Sequence, residues 1–79
     1  MLNIGKVIKF DGYTGEIVDS KNKYIFLDKD MEMPINIGDI VSFHGEKIHD
    51  VYRAFIVKKY VNNEEKIINK NRKISDKNN

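Results

Sequence analysis

Seventy-nine residues, 33% charged and 41% apolar, hold one modest core; a chain this short hides only about 60% of its unfolded surface, which excludes a second domain and a deep interdomain cleft. Without cysteine there is neither a disulfide framework nor a thiolate zinc site, so a reducing, cytoplasmic setting is expected, and no apolar run exceeds four residues, which predicts neither export nor a membrane span. The net charge of +2 is too small to hold a polyanion by bulk attraction.

The apolar residues come in short runs rich in β-branched and aromatic types, separated by turn signals, which is strand spacing. The first run, Lys6-Val7-Ile8-Lys9-Phe10, is closed by the turn dipeptide Asp11-Gly12. The second, Glu16-Ile17-Val18, follows Gly15 and stops at the polar stretch from Asp19 to Lys23. The third is Tyr24-Ile25-Phe26-Leu27; the polar, proline-containing stretch 28–36 that follows carries no strand pattern. The fourth, Asp39 to His44, is launched from Ile37-Gly38, where the glycine is expected to take a positive φ. The fifth runs from Val51 or Tyr52 to about Val61.

Five short strands in about 60 residues are too few for a two-sheet sandwich but enough for a closed barrel, which removes its own edges. The expected fold is all-β, a five-stranded antiparallel barrel of the OB type over residues 1–61. Residues 62–79 form a basic, Asn-rich C-terminal segment with six Asn, and they carry the whole net charge, because residues 1–61 hold nine basic and nine acidic side chains. Two readings of this segment stay open. One is a solvated, disordered tail. The other is a short helix capped by Asn62 or Asn63, with Glu64 and Glu65 in its first turn, Lys70, Arg72 and Lys73 near its end, and an apolar stripe of Ile67, Ile68 and Ile74.

Little in the chain points to catalysis. No serine or threonine has a His/Asp pair to activate it, the scattered glycines form no phosphate-cradling loop, and His44 and His49 with Glu46 and Asp50 make no convincing metal set. A binding module without cofactor or metal is expected rather than an enzyme.

The order of the strands carries a resemblance. Gly5-Lys6-Val7-Ile8-Lys9-Phe10-Asp11 resembles the opening strand of a cold-shock domain, and Thr14-Gly15-Glu16-Ile17-Val18 its second strand. Lys23 to Met31 is similar to the third strand and the turn after it, Ile37-Gly38-Asp39-Ile40-Val41-Ser42-Phe43 to the fourth, and Arg53 to Lys59 to the fifth. The resemblance covers roughly residues 2–60. It implies an OB barrel that binds single-stranded RNA or DNA by stacking bases on aromatic side chains of strands two and three, with basic residues alongside. Departures from the pattern are plain: Lys9 stands at the first-strand tryptophan, Glu16 at a second-strand aromatic, and, aligned without gaps, Ile25 and Leu27 at the third-strand Phe and His positions.

On this reading the nucleic-acid face comprises Phe10, Tyr13, Tyr24 and Phe26 as stacking rings with Lys6, Lys9, Lys23 and Arg53 as phosphate contacts. The alternative is an OB module that has lost nucleic-acid binding and docks a protein through an exposed Ile25/Leu27 patch. Strand three separates the two, because a one-residue slip exchanges its faces. Tyr24 and Phe26 outside favour nucleic acid. Tyr24 and Phe26 inside, with Ile25 and Leu27 outside, favour the protein partner.

Overall fold

The computed structural model describes residues 2–61; the C-terminal segment 62–79, with its open choice between tail and helix, lies outside the described residues. Five strands follow in chain order: β1 (Leu2–Phe10), β2 (Thr14–Val18), β3 (Lys23–Leu27), β4 (Ile40–Ile48) and β5 (Val51–Lys59). A 3₁₀ turn, Asp28–Asp30, follows β3. The strands close into a barrel in the order β1-β2-β3-β5-β4, with β1 also paired to β4. The fold is therefore all-β and OB-like, as the run spacing predicts. It is a mixed barrel rather than a wholly antiparallel one, because β3 meets β5 in parallel at Ile25 and Arg53. Among the described residues no helix is long and apolar enough to cross a membrane.

Two aspartates build the first two turns in the same way. Asp11 Oδ1 accepts hydrogen bonds from the Tyr13 and Thr14 amides at 2.9 and 2.8 Å, and Gly12 supplies the positive φ of 97°. Asp19 Oδ1 accepts from the Lys21 and Asn22 amides at 2.8 and 2.7 Å. The β4–β5 hairpin turns through His49 and Asp50, both in the left-handed region at φ 48° and 68°. Gly38 takes the expected positive φ, at 96°.

Gly5, Gly15 and Gly45 lie in strands, not in turns as their scatter suggests. Their missing side chains make room for the core. A Cβ built on Gly15 would overlap the Phe26 ring, and one on Gly45 would stand 2.8 Å from the Tyr24 ring. The core consists of Val7, Ile17, Tyr24, Phe26, Ile35, Val41, Phe43, Ala54 and Val57. Tyr24 meets Phe43 and Tyr52 edge-on at 4.8 and 5.5 Å, and its hydroxyl accepts from Asn22 Nδ2 at 3.5 Å, so its polar tip stays satisfied at the barrel's end.

Two bulges set which side chains leave the core. In β1 the register shifts between Val7 and Lys9, making Ile8 the extra residue. Lys9 therefore pairs with outward-facing Glu16, and Phe10 pairs with inward-facing Gly15. In β5 the shift opposite Ser42 and His44 falls at Ile56, which takes φ 55°.

Candidate nucleic-acid interface

The candidate site lies on the outer face of β1, β2 and β3 and runs over its edge to Phe10, which packs against the core from the same side as Gly15. Glu16 sits at its centre, with Lys9 opposite on β1 and Ile25 opposite on β3. The loop before β4 is laid along β1 by two backbone bonds, Gly38 N–H to Val7 O at 2.8 Å and Val7 N–H to Asp39 O at 3.0 Å. Ile37 is thereby brought to the rim. Together Lys9, Phe10, Asp11, Thr14, Gly15, Glu16, Ile25 and Ile37 enclose a groove of about 490 Å³. This is within the range of small-ligand clefts, roughly 300–1,000 Å³.

Five of the eight predicted site residues stay in or around the groove's face. Lys9 and Phe10 line the groove, and Phe10 stacks on Phe26 beneath it with centroids 5.6 Å apart. Tyr13, 79% exposed on the β1–β2 turn, is tied to the start of the 3₁₀ turn through Asp28 N–H to Tyr13 O at 2.9 Å. Lys23 pairs with Glu16 at 3.6 Å, and Lys6 is exposed on β1 opposite Val18 and Ile40.

Tyr24 and Phe26 are corrected by the fold. At 5% and 0% exposure they belong to the core and cannot stack on a base. The physical reason lies across the sheet: the Phe26 and Tyr24 rings occupy the space that Gly15 and Gly45 leave open, which holds the third strand with its aromatics inward. Ile25 consequently points out, 38% exposed, while Leu27 is half-buried.

Arg53 is already committed within the fold. Its guanidinium donates to Asp30 Oδ2 at 3.1 Å and to Ile25 O at 3.3 Å, and lies 4.8 Å from the Phe55 ring centroid. It clamps the parallel seam between β3 and β5, so it makes a poor phosphate contact. Asp11, Thr14, Gly15, Glu16 and Ile37 line the groove without being among the predicted site residues, and Ile37 is the one that comes from a distant loop. Its signal is faint, since nothing before Gly38 indicates that the loop returns to β1.

Electrostatically the groove is mixed. Hydrogen bonds from Thr14 and Tyr13 hold the Asp11 carboxyl below its usual range. With one Asp11 oxygen occupied by its own turn and Glu16 only loosely bridged to Lys23, Lys9 is the cation at the rim. Among the described residues no group of three or more His, Cys, Asp or Glu side chains gathers to hold a metal ion. His44 Nε2 and Glu46 Oε2 approach to 3.0 Å on β4. Comparison with protein-family models finds no match, and comparison with curated proteins finds none.

Proposed function

We propose that the protein binds single-stranded nucleic acid, RNA in particular, on the outer face of β1, β2 and β3, as a divergent cold-shock-like barrel without catalytic activity. The observation that carries this reading is the groove itself, which sets a ring, Phe10, an apolar floor at Ile25 and an apolar rim at Ile37 beside Lys9. A base has an apolar face and a charged backbone, and this combination suits one base entering with its phosphate at the rim. Tyr13 offers a second, exposed ring next to it.

With Tyr24 and Phe26 inside, stacking is confined to Phe10 and Tyr13, and binding is weak. Lys6, Lys9 and Lys23 provide for two or three phosphate contacts, so the affinity falls with salt on a log–log slope of about −1.4 to −2. The test is a titration of labelled single-stranded RNA and DNA heptamers of mixed sequence at low salt. Saturable binding in the micromolar range, weakened at least threefold by Lys9→Glu and by Tyr13→Ala, is expected. Absence of binding at high micromolar protein rejects the reading.

The inward rings and the outward Ile25 favour a second reading, a protein-docking face on the same groove. Ile25→Lys separates the two. Added positive charge strengthens a nucleic-acid site, whereas it removes the apolar centre of a protein contact.

A further inference from the structure

The groove contains a carboxylate where a nucleic-acid face gains nothing from general negative charge. Glu16 stands in the middle of the three-strand face, between Lys9 and Ile25, with its side chain only 25% exposed. Among the described residues it pairs with Lys23, at a long 3.6 Å. Asp11 also lines the groove, but its Oδ1 is taken by two backbone amides. Asp11 Oδ2 is a further acceptor at the turn, and Glu16 is the carboxylate at the centre of the face, opposite Ile25.

A carboxylate only accepts hydrogen bonds, and one that loses water against an apolar floor must find donors to replace it. We propose that Glu16 makes the groove select bases that present amino donors, guanine foremost, and reject uracil and thymine. Guanine offers adjacent N1–H and N2–H donors, which match the two oxygens of one carboxylate. Cytosine and adenine each offer one amino group. Uracil and thymine flank their single N–H with two carbonyl oxygens, and these would face the carboxylate directly. Lys9 and Lys23 on either side of Glu16 offset its repulsion of the phosphates, so the negative charge acts on the base edge.

This inference rests on the nucleic-acid reading, and the experiment separates their failures. Fluorescence anisotropy at low salt compares the heptamers U7, U3-G-U3 and U3-C-U3 on the full chain and on Glu16→Gln. A bidentate contact predicts that the guanine heptamer binds the unaltered protein about tenfold tighter than U7, with the cytosine heptamer between them. In Glu16→Gln the amide both donates and accepts, so U7 binds more tightly and the ratio falls towards one. Equal or tighter binding of U7 by the unaltered protein overturns the role of Glu16 while leaving the nucleic-acid reading in place, as does a ratio that survives in Glu16→Gln. Folded protein that binds none of the three overturns both.

Discussion

Ile56 holds a backbone conformation that its own side chain opposes. It is the extra residue of the β5 bulge, at φ 55°, and a β-branched side chain in the left-handed region is crowded by the following carbonyl, at a cost of about 1–2 kcal/mol. The side chain is largely exposed, so little apolar burial offsets this strain. Ile56→Gly is expected to stabilise the barrel by about 1 kcal/mol, the relieved strain exceeding the added freedom of the unfolded chain. Gly15→Ala tests the opposite case, because its Cβ would overlap the Phe26 ring. Overpacking there is expected to cost about 1–3 kcal/mol. Urea midpoints measure both, and a destabilised Ile56→Gly would refute the strain argument. The same glycines explain what could and could not be read in the third strand. Tyr24-Ile25-Phe26-Leu27 is apolar throughout, so period two gives no direction, and the aliphatic preference for burial points the wrong way. The decisive contacts are with Gly15 on β2 and Gly45 on β4, which become visible only once the strands are paired.

At the scale of the element, the strands were legible because their turns are written in local chemistry. Asp11-Gly12 and Asp19 each fold the chain back through one carboxylate oxygen and two amides three residues or fewer away, so the reading needs no distant partner. Strand ends were less legible, since β1 starts at Leu2 and β4 runs on to Ile48, where pairing with neighbours extends what composition marks. Both turns make stability depend on acid. Hydrogen bonds from Thr14 and Tyr13 hold the Asp11 carboxyl below its usual range, and those from Asn22 and Lys21 do the same for Asp19. A carboxyl whose folded pKa is depressed stabilises the fold fully above its unfolded value. That contribution is lost as pH falls through the folded value. Stability of the unaltered chain is therefore expected to be level from neutral pH down to about 5 and to fall below about 4. In the double variant Asp11→Asn, Asp19→Asn the amide oxygens keep the turns but do not titrate, so the decline below pH 4 becomes shallower. Urea midpoints between pH 2 and 7 measure this, and parallel acid limbs in the two proteins would contradict it.

At the scale of the whole molecule, the barrel depends on a seam with few backbone bonds. β3 and β5 meet in parallel at Ile25 and Arg53, and the chain beyond β3 adds one isolated bridge between Met31 and Val57, with Glu32 N–H to Val57 O at 2.8 Å. Side chains complete the closure. Asp30, buried on the 3₁₀ turn, accepts through Oδ2 from the Leu27 amide at 2.8 Å and from Arg53 at 3.1 Å, while Arg53 also reaches Ile25 O. This is why Arg53, which reads in the sequence as a phosphate contact, is unsuited to that role: withdrawing it would strand a buried carboxylate. Removing one partner of such a pair costs more than removing both, because the survivor stays desolvated and unpaired. Arg53→Met is expected to destabilise by about 2–3 kcal/mol, and Asp30→Asn, which keeps an acceptor for Leu27, by less, about 1–2 kcal/mol. The double variant should be more stable than the sum of the single losses implies, with a coupling of about 1 kcal/mol or more from chemical denaturation. The same series bears on function. On the proposed nucleic-acid reading, if Arg53 acts only on the seam, Arg53→Met leaves RNA affinity unchanged under conditions where it is folded, and a loss matching that of Lys9→Glu would return Arg53 to the proposed face.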